Sequence, residues 1–165
     1  MKNFTTKTLA RAGVTAGLYV GLTMLLLPVS FGPVQIRLSE GLMFLPAFFP
    51  ESVFSLFIGC AAANLFSAYG VYDIVIGSLT TLAACFLTRI IYKKTENFIL
   101  AGIPPVLLNA IFIPVVFYLS GATEGYFINF VSIFISEAAS VYVVGIPIAI
   151  FIKKEKEKGN KLFSV

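Results

Sequence analysis

The chain has 165 residues, of which 58% are hydrophobic and 12% are charged, and it carries a net charge of +4 without any histidine. Soluble domains contain roughly 45–50% apolar residues, so this composition excludes an ordinary soluble protein and predicts an integral membrane protein. Because a membrane-crossing helix needs about 20 residues, six helices and their loops use nearly the whole chain. We therefore expect residues 1–165 to form one all-α membrane domain, a bundle of six transmembrane helices.

Several kinds of chemistry are excluded by what the sequence lacks. It contains no G-x-x-x-x-G-K-[ST] phosphate loop, so the chain cannot hydrolyse ATP by itself. The absence of histidine removes the commonest general base and metal ligand. Cys60 and Cys85 lie in apolar runs without the spacing of a metal site, which predicts packing roles. We expect no enzyme activity, no metal and no cofactor.

Apolar runs and their interruptions predict the helices. In chain order they are Leu9–Val29, Ser39–Phe49, Glu51–Ser67, Asp73–Tyr92, Phe98–Leu119 and Phe127–Ile152. The first run is too long for a cleaved signal peptide, and no A-x-A site follows it. The second is too short to span the membrane unless it tilts or is buried in protein. The residues from Lys153 to Val165 are expected to form a solvated tail.

Prolines affect two of these predicted helices. Pro46 and Pro50 separate the second helix from the third, because proline removes a backbone donor and clashes with the preceding turn. The fifth run contains Pro104, Pro105 and Pro114, so it should be kinked or begin with an irregular turn.

The distribution of lysine and arginine predicts the orientation. With six spans, both termini and the turns after the second and fourth helices share one side of the membrane. Every basic residue except Arg37 falls on that side. By the positive-inside rule both termini are cytoplasmic, so Arg37, Glu40, Asp73 and Glu124 belong to the outer half and a polar cavity would open outward.

Glu40 and Glu137 are the most informative polar residues. They lie within or beside hydrocarbon-like sequence, where a charged carboxylate costs roughly 2.5–3.5 kcal/mol on insertion scales. Such residues usually face a cavity and bind something polar. We therefore expect both glutamates to contribute to a ligand site.

The segment from Gly32 to Glu40 alternates polar and apolar residues. In an extended conformation it would place Gln35, Arg37 and Ser39 on one side, with Ser39 capping the helix that follows. The alternative is an ordinary outer loop in which Arg37 and Glu40 form a solvated pair.

Polar residues also recur in the later helices. Glu137 lies at the edge of a stripe of residues spaced three or four apart, which are Asn129, Ser132, Ser136 and Ser140. Asn64 and Asn109 place amides in mid-span, and Asp73 can complement the positive N-terminal end of the fourth helix. The alternative role for the serines and asparagines is hydrogen bonding between helices.

The first helix presents small residues at intervals of four. Ala12 and Ala16 lie on one face, and a second face carries Gly13, Gly17 and Gly21. Small residues let another helix approach closely, either within this bundle or from a separate subunit.

Four segments and one later helix carry a resemblance to a known family. They are SFGPVQIRLSEGL (Ser30–Leu42), LFIGCAAANLF (Leu56–Phe66), DIVIGSLTTLAA (Asp73–Ala84), PPVLLNA (Pro104–Ala110) and the Glu137 helix with Gly145 and Pro147. The chain is similar, almost end to end, to the QueT-type substrate-binding (S) components of energy-coupling factor (ECF) transporters, which handle queuosine precursors in bacteria.

The resemblance implies a fold, a location and partners. It implies an S-component bundle in the bacterial cell membrane that captures its substrate from outside. It also implies docking, through Ala12 and Ala16, on a module of one transmembrane coupling protein and two ATPases. The expected partners are this module, the lipid bilayer and a small molecule, with no nucleic acid.

The implied substrate is a 7-deazaguanine such as 7-aminomethyl-7-deazaguanine. A carboxylate can accept its ring N–H and exocyclic amine together, the second carboxylate can neutralise an aminomethyl cation, and an aromatic side chain can stack on the ring. The residues expected to bind it are Gln35, Arg37, Glu40, Asn64, Tyr72, Asp73, Asn109 and Glu137. An S component for thiamine or riboflavin, a structural membrane subunit and an intramembrane enzyme remain as alternatives.

Overall fold

The structure is a computed structural model that describes residues 5–31 and 35–160. Every regular element in these two ranges is helical, which confirms the all-α prediction. In chain order the helices are α1 (Thr6–Leu25), α2 (Leu27–Ser30), α3 (Leu38–Phe48), α4 (Ser52–Asn64), α5 (Gly70–Thr95), α6 (Phe98–Leu119) and α7 (Tyr126–Glu157).

Four of these helices, α1, α5, α6 and α7, are long and apolar enough to cross a membrane. The apolar helices α3 and α4 are shorter. The predicted apolar segments therefore recur in the predicted order, but α2 is an additional helix and the predicted count of six crossings is not confirmed. Residues 32–34 of the predicted outer segment and residues 161–165 of the predicted tail lie outside the described residues.

Three helices contain a change of helical type near buried polar residues. The chain enters α3 as a 3₁₀ helix over Leu38–Phe44. Two π-helical segments follow, Asp73–Gly77 in α5 and Ala139–Gly145 in α7. Short π-helical segments are rare and occur often at functional sites, because they change the direction in which side chains project.

The prolines of α6 lie inside one continuous helix, so the expected irregular first turn is absent. The helix begins instead with a side-chain cap, in which Asn97 Oδ1 accepts hydrogen bonds from the backbone N–H of Ile99 at 2.8 Å and of Leu100 at 3.3 Å. Tyr142 of α7 donates to the carbonyl of Ile99 at 3.0 Å. Asn97 thus satisfies two of the free N–H groups at the helix start, and Tyr142 links α7 to the first turn of α6.

Two glycine contacts bring the site-bearing helices together. A Cβ atom at Gly59 of α4 would lie 2.9 Å from Tyr19 Cβ and 3.0 Å from the carbonyl oxygen of Ala16, both in α1. A Cβ atom at Gly145 of α7 would lie 2.9 Å from the carbonyl oxygen of Gly41 in α3. Glycine therefore permits backbone approaches that place α1, α3, α4 and α7 around one core.

Contacts at the two ends of the bundle agree with the predicted sides. At one end, Arg11 near the start of α1 forms a 2.6 Å ion pair with Glu51 in the turn before α4. At the other end, Ser120 Oγ lies 3.4 Å from the carbonyl oxygen of Tyr69, linking the turns that follow α4 and α6. Turns assigned from the sequence to one side thus lie together.

Candidate functional site

Glu40 is buried at the start of α3 and contacts α1. The hydroxyl of Tyr19, a residue with no exposed surface, donates a hydrogen bond to Glu40 Oε1. Glu40 Oε2 is buried and has no hydrogen-bond partner within the described residues. The carboxylate is therefore held on one oxygen and open on the other.

Glu137 is buried on α7, near the Asn109 amide of α6. Its carboxyl also lies within electrostatic range of Glu40 and Arg37. Glu137 Oε2, Asn109 Nδ2 and Ser140 Oγ are all buried, and across residues 5–31 and 35–160 none of these atoms has a hydrogen-bond partner. Of the polar stripe predicted on this helix, Asn129, Ser136 and Ser140 are also buried, whereas Ser132 is half-buried.

Arg37 pairs with Asp73, which corrects the alternative of a solvated pair between Arg37 and Glu40. Arg37 Nη2 lies 3.1 Å from Asp73 Oδ2, and both side chains are almost completely buried. Arg37 Nε also donates to the carbonyl of Ser30 at 3.1 Å, and the guanidinium lies 4.8 Å from the centre of the Phe31 ring. The pair joins the segment before α3 to the π-helical segment of α5.

Asn64 supports this pair from the end of α4. Its Nδ2 donates to the backbone carbonyl of Asp73 at 2.8 Å. A Cβ atom at Gly77 would lie 2.7 Å from Asp73 Oδ1 and 2.9 Å from Asn64 Nδ2, so glycine at this position leaves room for both side chains. This contact is the interhelical hydrogen bond that the sequence left as an alternative role for Asn64.

The alternation predicted before α3 is present. Gln35, Arg37 and Ser39 are buried, whereas Ile36 between them is exposed. Ser39 does not cap α3, since the N-cap position is Arg37 and makes no side-chain cap. The Ser39 hydroxyl instead lies 2.8 Å from that of Thr23 in α1. Gln35 Nε2 is buried, with no hydrogen-bond partner in the part of the chain that the structure describes.

Tyr72 lies on a surface depression of about 530 Å³ lined by Ala68, Tyr69, Gly70, Val71, Tyr72 and Ser120. We name this depression the outer cleft after the side of the membrane that the sequence predicts for it. The Tyr72 side chain is half-exposed, outside the buried group. The hydroxyl of Tyr69 is within electrostatic range of Asp73 and Arg37. Burial raises the pKa of Tyr69, and the nearby carboxylates of Glu124 and Asp73 raise it further. The cleft therefore borders the buried ion pair.

The small residues of α1 divide between two environments. Ala12 and Ala16 are half-buried, and Ala16 packs against α4 at Gly59. The glycine face of α1 is exposed and consists of Gly13, Gly17 and Gly21. A Cβ atom at any of these three glycines would meet nothing within 4 Å among the described residues.

Comparison with known proteins identifies the family. A model of the family described as QueT transporter matches residues 9–154, which is most of the chain. The chain belongs to the QueT transporter family. The family resemblance stated from the sequence is confirmed, and membership of a transporter family agrees with the prediction that the chain is not an enzyme.

One curated relative of this QueT family chain is the queuosine precursor transporter QueT of Lactococcus lactis subsp. cremoris (strain MG1363). The two are 33% identical over 99 residues, which cover 59% of this chain and 58% of the relative. The match thus spans less than two thirds of the relative's length. No solved structure matches the chain.

Tyr19 contacts Glu40 in the candidate site of this QueT family chain, but it is not among the residues predicted from the sequence. Thr15, Tyr19 and Thr23 recur every four residues on α1 and are all buried. This spacing places them on one face of a helix, away from the exposed glycines. This four-residue spacing of polar side chains in an apolar helix is the signal in the sequence that points to Tyr19.

The electrostatic state of the QueT site follows from these pairings. Arg37 and Asp73 compensate each other. Glu40 and Glu137 form no ion pair within residues 5–31 and 35–160. A buried carboxylate without a cation is costly unless it is protonated or a ligand supplies donors and positive charge. The site is therefore suited to a ligand rich in N–H donors.

Proposed function

We propose that this QueT family chain is the membrane-embedded substrate-binding subunit of a bacterial ECF transporter. It binds a queuosine precursor, a 7-deazaguanine such as 7-aminomethyl-7-deazaguanine, from outside the cell. The observation that carries this proposal is the pair of buried carboxylates, Glu40 and Glu137, which lack an ion-pair partner among the described residues. An amine-bearing heterocycle would compensate both of them.

The unpartnered atoms match the polar edge of the proposed base. A guanine-type edge presents a carbonyl oxygen next to a ring N–H and an exocyclic amine. Glu137 Oε2 can accept from these N–H groups, and Asn109 Nδ2 can donate to the carbonyl. Gln35 Nε2 is a second available donor. Arg37 and Asn64 already donate hydrogen bonds to Asp73, so they would hold the helices around the site in place and would not bond to the base.

The direction of uptake follows from the charged residues. The excess of lysine and arginine at the termini and at the ends of α1, α5 and α7 supports cytoplasmic termini in the bacterial cell membrane. Arg37 and Asp73 then lie in the outer half. The outer cleft, where Tyr72 could stack on the incoming ring, would be the entrance.

Binding to the purified protein tests this function. We expect 7-aminomethyl-7-deazaguanine to bind the protein in lipid nanodiscs without ATP, and to bind more tightly than guanine, thiamine or riboflavin, in isothermal titration calorimetry. Tight binding of thiamine or riboflavin instead would assign the chain to another vitamin. If no compound in this panel binds, the substrate-binding role is wrong.

Docking on an ECF module is a separate proposal, supported by the missing phosphate loop and by the small residues of α1. Ala12 and Ala16 border the exposed glycine face, but Ala16 also packs inside the bundle. We expect Ala12→Leu and Gly17→Leu to leave ligand binding unchanged and to reduce precursor uptake by cells severalfold, because a bulky side chain prevents close helix approach.

Uptake of labelled precursor by a queuosine-auxotrophic strain measures this effect. Leu18→Phe, a change at an exposed apolar position on α1, provides the control for added bulk. Uptake at the original rate by both the Ala12 and the Gly17 variants would remove this face from the docking surface.

A further inference from the structure

The hydrogen bond between Tyr19 and Glu40 makes the two buried carboxylates different. Tyr19 reaches Glu40 Oε1 from α1, and on the same helix Thr23 lies 2.8 Å from Ser39, the residue before Glu40. The first contact holds the carboxyl of Glu40 against α1, and the second holds the side chain of its neighbour Ser39 against the same helix. Rotation of the Glu40 side chain is therefore restricted.

The occupied oxygen limits what Glu40 can bind. A carboxylate accepts two parallel N–H groups when both oxygens face the ligand. Tyr19 already occupies one acceptor position on Oε1, whereas Oε2 has no partner among the described residues and keeps its full capacity to accept. Such an acceptor is suited to one donor, such as an ammonium group.

Glu137 has a different set of neighbours. The Asn109 amide of α6 lies close enough to interact with its carboxyl, and Ser140 follows three residues later on α7. Asn109 Nδ2 and Ser140 Oγ are buried and make no hydrogen bond of ordinary geometry among the described residues. A carboxylate can accept hydrogen bonds from a ring N–H and an exocyclic amine, while a neighbouring amide N–H donates to the adjacent carbonyl of the same base. The Glu137 side of the site therefore offers the hydrogen-bonding groups that the edge of the base needs.

From these contacts we propose that Tyr19 is a positioning residue. By donating a hydrogen bond to Oε1, it directs Oε2 of Glu40 to the cationic substituent of the ligand. Glu137 and Asn109 then form the hydrogen bonds to the edge of the base. This division of roles rests on the proposed function and deepens it, because it assigns the recognition of the substituent to one carboxylate. Selectivity for a positively charged substituent would then depend on a phenol that does not touch the base.

Two ligands and one conservative substitution test the assignment. Tyr19→Phe keeps the ring and removes the hydroxyl. We expect its affinity for 7-aminomethyl-7-deazaguanine to fall about tenfold, while its affinity for 7-methyl-7-deazaguanine stays within about twofold of the original. The ratio of the two affinities, measured by calorimetry, is a quantity that a general loss of packing would not change.

The matched control is Tyr142→Phe, which removes another phenol that donates to the bundle, at the carbonyl of Ile99. It should change neither affinity. If Tyr19→Phe does not fold, Glu40→Gln tests the second half of the assignment, the recognition of the substituent by Glu40. It removes the charge but keeps an acceptor for Tyr19, so it should lower the affinity for the aminomethyl compound selectively, and equal losses for both ligands would refute the assignment.

The outcomes separate this inference from the proposed function. Equal losses for both ligands, or no loss for either, would refute the positioning role while leaving a 7-deazaguanine site in place. Failure of the unsubstituted protein to bind either compound would refute the proposed function, and the assignment of roles with it.

Discussion

Replacing Glu137 by glutamine is expected to reduce the affinity for 7-aminomethyl-7-deazaguanine by at least roughly thirtyfold, a loss of about 2 kcal/mol in binding free energy. The glutamine is almost the same size, but it replaces one acceptor oxygen with a donor that would face the N–H groups of the base. Glu137 is buried beside Asn109 and forms no ion pair among the described residues, so the ligand would be its principal charged partner. Calorimetry with protein in nanodiscs measures the change.

The control for this variant is Glu124→Gln. It removes the same charge from an exposed position in the turn between α6 and α7, and its affinity should remain within twofold of the original, since no buried contact is lost. An unchanged affinity in the Glu137 variant would remove this residue from the site. A comparable loss in both variants would point to the overall charge of the outer half instead.

Replacing Arg37 by methionine is expected to cause the largest loss of stability, about 3–5 kcal/mol. Arg37 and Asp73 are 3.1 Å apart and almost fully buried, so removing the guanidinium leaves a carboxylate in a low-dielectric interior. The double variant Arg37→Met with Asp73→Asn should recover much of this loss, because no uncompensated charge remains.

The two cysteines make this prediction measurable. Cys60 and Cys85 are free and buried, so a thiol-reactive fluorophore labels them only when the bundle opens. The labelling temperature should fall sharply for the Arg37 variant and partly recover in the double variant. Lys158→Met, which breaks an ion pair near the end of α7, is the control and should not shift it. A labelling temperature unchanged by Arg37→Met would show that the pair does not hold the bundle together.

Much of the candidate site was predictable because its residues are polar in an apolar context. Glu40, Asn109 and Glu137 could be singled out from the sequence, and all three are buried. Alternation along an extended segment predicted that Gln35 and Arg37 lie on one side, and the structure shows that this side is buried. Tyr72 was chosen for its aromatic ring, and it lies half-exposed on the outer cleft, apart from the buried carboxylates.

The partners of these residues could not be predicted with the same success. Arg37 was considered beside Glu40, three positions away, but it pairs with Asp73, 36 positions along the chain. Ser39 was expected to cap its own helix, but it contacts Thr23 of α1. In both cases a local rule was overridden by packing between helices.

The sequence by itself determined that this is an all-helical membrane chain with buried polar groups, because hydropathy and helical periodicity are properties of local composition. Tertiary structure alone decided which buried group faces which. The close approaches at Gly59, Gly77 and Gly145 bring distant side chains within hydrogen-bonding distance. In a medium of low polarity, a buried charge is stabilised by whichever partner the packing supplies, and that partner is not encoded by its neighbours in the sequence.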